Sequence, residues 1–153
     1  MNYDDLYKSL SLLIENEKYD ISLLANTVAF IYEHVSDLNW VGFYLYKDTQ
    51  LILGPFQGKV ACSTIACGKG VCGTALLQKK TVVVPDVLNH KNHITCDANS
   101  RSEIVIPIII ENNVYAVLDI DSPIINRFAK EEIDFFEKIV INIQENLKQI
   151  IKY

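Results

Sequence analysis

The sequence lacks the long apolar runs, basic patches and low-complexity tracts that mark membrane, nucleic-acid-binding and disordered proteins. Its longest uncharged apolar run, residues 104–110, is far below the roughly 18 residues that a membrane-spanning helix needs. The N-terminal stretch MNYDDLYKSL is acidic where a signal peptide would be basic. The 14 basic residues are scattered among 19 acidic ones, and the net charge is −5. We therefore expect a cytoplasmic protein that binds neither membrane nor nucleic acid.

The sequence also lacks a linker and an internal repeat, and its 153 residues suit a single domain spanning 1–153. Apolar residues recur at helical spacing in some segments and follow strand patterns in others. Along 40–46 the alternation places Trp40 and Tyr44 on one face of a strand and Val41 and Phe43 on the other. The predicted helices are 4–15, 21–35, 74–78 and 128–151, and the predicted strands are 40–46, 50–56, 81–84, 103–110 and 114–120. Helices at both ends with strand hairpins between them predict an α+β domain, in which helices cover one face of an antiparallel sheet and loops cover the other.

All four cysteines lie in residues 61–102, together with two of the three histidines and half of the six glycines. Cytoplasmic thiols are kept reduced, so a permanent disulfide framework is not expected. A zinc module is an alternative, because two histidines at intervals of three precede the last of the four cysteines. Its candidate ligands are Cys62, Cys67, Cys72, Cys96, His90 and His93. The paired CxxC spacing of such modules is missing, however, and a core this apolar needs no metal to fold. We therefore expect no metal, and we interpret the segment as a redox site in which Cys67 is the best candidate for an inert thiol.

Cys72 and Cys96 differ in their local surroundings. Cys72 lies in a glycine turn just before the predicted helix 74–78, where helix N–H groups and Lys69 would lower its pKa. Cys96 lies in a loop and is followed by Asp97, whose negative charge opposes thiolate formation. The local sequence thus favours Cys72 as the more acidic thiol and leaves open which thiol meets a substrate.

Three acidic residues cluster at one predicted sheet end. Asp119 and Asp121 are two positions apart on a strand, so their side chains share a face, and Glu103 begins the strand predicted to pair with it. Buried carboxyl groups this close together would raise the pKa of at least one of them and hold a proton at neutral pH. Such a cluster can bind an ammonium group, and its protonated member can act as a general acid. The alternative is that the three residues are solvated strand ends.

Six motifs together make the chain resemble the free methionine-(R)-sulfoxide reductases, which are enzymes with a GAF-like domain. The motifs are NWVGFY from position 39, ACSTI from 61, GKGVCGTA from 68, VPDV from 84, HITCDANSRSEIVIP from 93 and VLDIDSP from 117. They extend over nearly the whole chain. The resemblance implies a GAF-like antiparallel sheet with helices on one face and active-site loops on the other.

The resemblance also implies roles for individual residues. Cys96 would attack the sulfoxide sulfur, while Cys62 and Cys72 would take part in resolution, in an order that remains open. Two aromatic residues would surround the methionine methyl group, and three acidic residues would hold the amino group and polarise the sulfoxide oxygen. The aromatic residues are Trp40 and Tyr44, and the acidic residues are Glu103, Asp119 and Asp121. Cys67 matches no position of the pattern.

The implied reaction reduces free L-methionine-(R)-sulfoxide through a cysteine sulfenic acid and an intramolecular disulfide. Thioredoxin, with NADPH and thioredoxin reductase, would recycle the disulfide, and no bound cofactor is expected. The family and the apolar-faced terminal helices suggest a homodimer. The main alternative is a non-catalytic GAF sensor of a small ligand, which would share the fold without the thiol chemistry.

Overall fold

The computed structural model describes residues 2–91 and 97–151, and its centre is a six-stranded antiparallel sheet. The strands lie in the order β3-β2-β1-β6-β5-β4, and every neighbouring pair is antiparallel. They are β1 (Trp40–Lys47), β2 (Gln50–Gly58), β3 (Thr64–Ala66), β4 (Val82–Val84), β5 (Ser102–Ile110) and β6 (Asn113–Ser122). The helices are α1 (Tyr3–Ile14), α2 (Asp20–His34), α3 (Gly70–Gln78) and α4 (Lys130–Ile150), with a single 3-10 turn at Val87–Asn89. The predicted α+β class is confirmed.

The larger core lies between one face of the sheet and helices α1, α2 and α4. The sheet contributes every second residue of its strands to this core, because alternate side chains of a strand point to the same face. Val41 and Phe43 of β1 are completely buried there, together with alternate residues of β5 and β6 and the apolar stripe of α4. Trp40 and Tyr44 point to the opposite face, as the alternation in β1 predicted.

The opposite face carries a smaller core, which α3 covers. This helix begins at Gly70, four residues before the predicted start at position 74. Gly68 and Gly70 both have positive φ angles, which allow the tight turn into the helix. Gly73 packs so closely on the preceding strand that a Cβ atom there would lie 2.6 Å from the Ala66 carbonyl oxygen. The two glycines in the first turn of α3 have low helix propensity, which explains why the sequence predicts too short a helix.

Two helices begin without a side-chain cap. Helix α2 begins at Asp20, one residue before the predicted start, and its N-cap residue Tyr19 makes no side-chain hydrogen bond. Ala129 is the N-cap residue of α4, and its methyl side chain cannot accept one. None of the helices in 2–91 and 97–151 combines the length and the apolar character required to cross a bilayer.

Candidate active site

A cavity opens on the α3 side of the sheet, and every sequence-predicted site residue that the structure describes, except Cys62, lines it. Its walls come from β1, α3, β5 and β6. The predicted residues that line it are Trp40, Tyr44, Cys72, Glu103, Asp119 and Asp121, and further lining comes from Ala61, Ile65, Gly70, Val71, Asp97 and Ser100. Cys96 and His93, predicted for the site or for zinc, lie outside the described residues.

Strand register places the three carboxyl groups together. Glu103 of β5 is directly opposite Asp121 of β6, and Asp121 is also opposite Trp40 of β1. Asp119 is two residues from Asp121, so its side chain points to the same face of the sheet. Only 5%, 7% and 8% of the surfaces of Glu103, Asp119 and Asp121 are exposed. The cluster predicted from the sequence is therefore buried, and the alternative of solvated strand ends is wrong.

Burial disfavours the charged form of each of these carboxyl groups and raises its pKa. The pKa of Glu103 rises well above its ordinary value, first through burial and then through the negative charges of Asp119 and Asp121. The pKa of Asp121 is also raised well above its ordinary value by burial and by Asp119, although a hydrogen bond with Ser100 opposes the change. The pKa of Asp119 is raised less strongly, because hydrogen bonds from Glu103 and Cys72 favour its charged form. Glu103 and Asp121 are therefore the carboxyl groups whose protonated forms are favoured most, and Asp119 accepts hydrogen bonds from Glu103 and Cys72.

Cys72 has surroundings opposite to those predicted. It lies within the first turn of α3 and is 3% exposed, while Lys69 points into solvent. Burial raises its pKa well above the ordinary value, and the charges of Asp119 and Glu103 raise it further. The predicted lowering of the Cys72 pKa is therefore wrong, because the nearby carboxyl groups and the loss of water outweigh the helix N–H groups.

Aromatic rings line the cavity beside the carboxyl groups, because Trp40 of β1 pairs with Asp121 of β6. We call Trp40 and Tyr44 the aromatic wall; their rings are nearly parallel, with centroids 5.8 Å apart, and Phe56 also stacks on Trp40 at 5.2 Å. The indole N–H of Trp40 donates to the carbonyl oxygen of Lys59 at 3.1 Å, which fixes the ring. The sequence did not identify Phe56, because its pairing opposite Gly42 depends on a strand register that shifts between Gly42 and Tyr44.

The three cysteines that the structure describes differ in their bonding and exposure. Cys62 is disulfide-bonded and half-buried, and its carbonyl oxygen accepts a hydrogen bond of 2.9 Å from the hydroxyl of Tyr44. Cys67 is exposed and Cys72 is buried, and both are free thiols. Cys62 therefore lies beside the aromatic wall, whereas Cys67 does not line the cavity.

Asn39 contributes a contact that the sequence did not predict. Its side-chain amide donates to the Asp97 carboxylate and to the Ser100 hydroxyl, each at 3.0 Å. Asp97 and Ser100 both line the cavity, and both act on the pKa of Asp121. Asn39 thus attaches the segment around residues 97–100 to the start of β1. The motifs that contain these residues were visible, but their separation by about 60 positions hid the contact.

The sheet with its helices and the enclosed site on one face define the chain as a GAF domain, and that family matches residues 20–145. Free methionine-R-sulfoxide reductase of Escherichia coli (strain K12) is 43% identical over 145 residues, covering 95% of this chain and 88% of that protein. Among solved structures, reduced fRMsr of Staphylococcus aureus has a TM-score of 0.93 at 49% identity, with 95% of both chains covered. Free methionine-R-sulfoxide reductase of Neisseria meningitidis in complex with its substrate has a TM-score of 0.94 at 35% identity, covering 97% of this chain and 89% of that chain.

Within the GAF domains, the chain belongs to the free methionine-R-sulfoxide reductase family. The resemblance drawn from the six motifs is confirmed.

Proposed function

We propose that this chain reduces free L-methionine-(R)-sulfoxide to L-methionine through a cysteine sulfenic acid and an intramolecular disulfide. The observation that carries the proposal is the buried group of Glu103, Asp119 and Asp121, which lines one cavity together with the aromatic wall. A buried acidic cluster is costly unless it meets a cation, and the ammonium group of a free amino acid is such a cation. The names of the relatives point to the same substrate.

The cavity can hold each part of the substrate. The Asp119 carboxylate, with Asp121 beside it, would accept hydrogen bonds from the ammonium group. The Trp40 and Tyr44 rings would contact the S-methyl group, because a thioether packs well on aromatic faces. The substrate carboxylate would meet N–H groups at the start of α3, where Gly70 and Val71 line the cavity. Gly73 N–H already donates to the Lys69 carbonyl at 2.9 Å, so the proposed anion site would use N–H groups that precede Gly73 in the helix.

The first chemical step requires a proton on the sulfoxide oxygen. Glu103 is the best donor in the described site, since burial and two neighbouring carboxyl groups raise its pKa well above the ordinary value. The Cys96 thiolate would attack sulfur, the S–O bond of the sulfoxide would break, and the oxygen would pass to Cys96 as a sulfenic acid. Methionine leaves with the sulfur reduced by two electrons, and Cys96 is oxidised by two. Asp121 is the second candidate for the donor.

Cys62 is the resolving thiol in this proposal. Its sulfur would attack the Cys96 sulfenic acid, so that an S–S bond forms and water leaves. The disulfide-bonded state of Cys62 and its place beside the aromatic wall support this role. Cys72 is less suited to attack, because burial and the neighbouring acids raise its pKa and keep it protonated.

Thioredoxin is the proposed electron donor. Its dithiol would attack the disulfide and return both cysteines to thiols, with NADPH and thioredoxin reductase as the source of electrons. We further propose that the protein works in the cytoplasm, where that system keeps thiols reduced, and that it forms a homodimer.

The deciding experiment is an NADPH-coupled assay with thioredoxin and thioredoxin reductase. The R and S sulfoxides are supplied separately, each as free methionine sulfoxide and as its N-acetyl derivative. We expect NADPH consumption with free L-methionine-(R)-sulfoxide, and at most a small fraction of that rate with the other three. No consumption with any of the four, while the coupling enzymes are active on a control disulfide, would contradict the proposal and favour the sensor alternative.

A further inference from the structure

Cys72, Glu103 and Asp119 form a set of metal-ligand type at the bottom of the cavity. The Cys72 sulfur, one carboxylate oxygen of Glu103 and one of Asp119 all lie within 4.8 Å of one another, and all three residues are buried. They are held by three different elements, α3, β5 and β6, that pack on one another. Substrate binding accounts for the two carboxyl groups, but it leaves the thiol in this position unexplained.

A second observation indicates that this set has room for another partner. Asp119 is 93% buried, its side chain lines the cavity, and its Oδ1 atom has no hydrogen-bond partner in the part of the chain that the structure describes. A buried carboxylate oxygen without a partner loses its hydration without compensation, so a cation at that oxygen is favoured.

We propose that Cys72, Glu103 and Asp119 bind a zinc ion, and that the bound ion blocks the substrate's ammonium position. Zinc combines thiolate sulfur and carboxylate oxygen in one coordination sphere, whereas magnesium and calcium prefer oxygen alone. Three protein ligands leave the fourth position of a tetrahedral ion facing the cavity. The binding site stands on the geometry of the three residues, and the inhibition rests in addition on the proposed function.

The distances suit such an ion. Zinc binds sulfur at about 2.3 Å and carboxylate oxygen at about 2.0–2.2 Å, so tetrahedral ligand atoms lie roughly 3.4–3.6 Å from one another. The three ligand atoms are within 4.8 Å. Rotation of the two carboxyl groups can close the remaining gap while the strands stay in place. Of this set, only Cys72 belonged to the zinc module weighed from the sequence, which combined the four cysteines with His90 and His93.

The binding test uses the disulfide form of the full chain, in which Cys62 offers no thiolate. Cobalt(II), a spectroscopic substitute for zinc, is titrated into wild type and into Cys67→Ser, Cys72→Ser and Asp119→Asn, each shown by circular dichroism to be folded. We expect a thiolate-to-cobalt charge-transfer band in wild type and in Cys67→Ser, where the exposed thiol is removed. The band should disappear in Cys72→Ser, and Asp119→Asn, which keeps the thiol, should weaken cobalt binding by at least about tenfold.

A wild-type protein without the band, or a Cys72→Ser protein that retains it, would overturn the metal site. Should Cys72→Ser not fold, Asp119→Asn decides, and cobalt binding as tight as in wild type would overturn the proposal.

The inhibition test uses single turnover of the reduced protein, without added thiol that would itself bind zinc. Methionine formed from free L-methionine-(R)-sulfoxide is measured with and without Zn²⁺. We expect zinc to raise the half-saturating sulfoxide concentration at least about tenfold, with no change in the limiting rate. The reason is that the zinc ion and the ammonium group of the substrate would compete for one position. Inhibition that high sulfoxide fails to relieve would overturn the blocking role. A protein without turnover even in the absence of zinc would contradict the proposed function, while the cobalt spectra would still decide the metal site.

Discussion

Glu103 is the buried carboxyl group whose proton the proposed reaction uses. Its replacement by glutamine keeps the shape and the hydrogen-bonding capacity of the side chain and removes the acid. We expect Glu103→Gln to lower kcat by about 10²–10⁴-fold, the usual contribution of a general acid. The measurement is the NADPH-coupled assay with free L-methionine-(R)-sulfoxide. Glu137→Gln, an exposed change on α4, is the matched control and should keep wild-type kcat. A large loss in Asp121→Asn alone, with Glu103→Gln fully active, would assign the acid to Asp121 instead.

The same buried acid should make the stability of the protein depend on pH. Its pKa in the folded chain is raised by burial, well above about 4.3 for a glutamate in the unfolded chain. Below pH about 4 the folded and the unfolded chain both hold the Glu103 proton, so this group does not lower the free energy of unfolding there. As pH rises toward the folded pKa, the unfolded chain releases the proton while the folded chain keeps it, so the free energy of unfolding falls.

We therefore expect Glu103→Gln to melt at a higher Tm than wild type at pH 8, with the difference shrinking as the pH approaches 4. Thermal unfolding followed by circular dichroism across this pH range is the measurement. Glu137→Gln should show no such pH-dependent gain. A Glu103→Gln protein less stable than wild type at pH 8 would show that a lost hydrogen bond matters more than the buried charge.

Cys72 gives a direct chemical test of the corrected pKa. Among the residues that the structure describes, the free thiols are the exposed Cys67 and the buried Cys72, whose pKa is raised by burial and by Asp119. We expect iodoacetamide at pH 8 to label Cys67 at least about tenfold faster than Cys72, because the thiolate is the nucleophile and burial excludes the reagent. Peptide mass spectrometry gives both rates, and labelling in denaturant should make them equal. Equal rates in the folded protein would restore the acidic Cys72 that the sequence suggested.

At the scale of elements, alternation was the most reliable signal. The pattern in β1 correctly divided Val41 and Phe43 from Trp40 and Tyr44, because adjacent residues of a strand face opposite sides of the sheet. The start of α3 could not be predicted in the same way, since glycines in its first turn remove the propensity signal. The Cys72 pKa was predicted wrongly for a different reason. Cys72 does lie at a helix start, as predicted, but its burial and the two acids near it depend on strands that are distant in sequence.

Gly42 tests how the β1–β2 hairpin holds the aromatic wall. A Cβ atom at this position would lie 2.4 Å from the Trp40 ring, closer than side chains tolerate, so the indole must move. We expect Gly42→Ala to cost about 1–3 kcal/mol of stability and to raise the KM for the free sulfoxide. Denaturant unfolding and the coupled assay measure the two effects.

Gly54→Ala on the same hairpin is the comparison, because its Cβ would meet no atom closer than 3.0 Å. It should cost less and leave KM unchanged. A wild-type KM in Gly42→Ala would mean that the position of the indole does not determine substrate binding.

At the scale of the whole molecule, the pairing of β5 with β6 was predictable and the closure of the cavity was not. The hairpin signal and the i, i+2 spacing brought Glu103, Asp119 and Asp121 to one sheet end. The contact of Asn39 with Asp97 and Ser100 joins segments 58 and 61 positions apart, and no local pattern announces such a contact. Phe56 was missed for a related reason: its role depends on the register of β2 against Trp40, which the sequence leaves open.

Asn39 therefore carries the prediction that belongs to the whole molecule. Asn39→Ala removes the two hydrogen bonds that attach the segment around Asp97 and Ser100 to β1, and one of them ends on a carboxylate. A hydrogen bond to a charged group contributes roughly 1.5–3 kcal/mol. If that free energy supports the substrate-binding shape of the cavity, its loss corresponds to a decrease of about tenfold or more in substrate affinity. We expect kcat/KM for the free sulfoxide to fall by at least about tenfold, mainly through KM.

The matched control is Asn113→Ala, which removes an exposed asparagine bonded to the Glu111 carbonyl at the far turn of the sheet. It should keep wild-type KM. Comparison of free with N-acetylated sulfoxide shows whether enclosure is the cause, because a looser cavity should lose discrimination as well as affinity. If Asn39→Ala lowers only the melting temperature and leaves both KM and discrimination at wild-type values, the contact stabilises the fold without shaping the site.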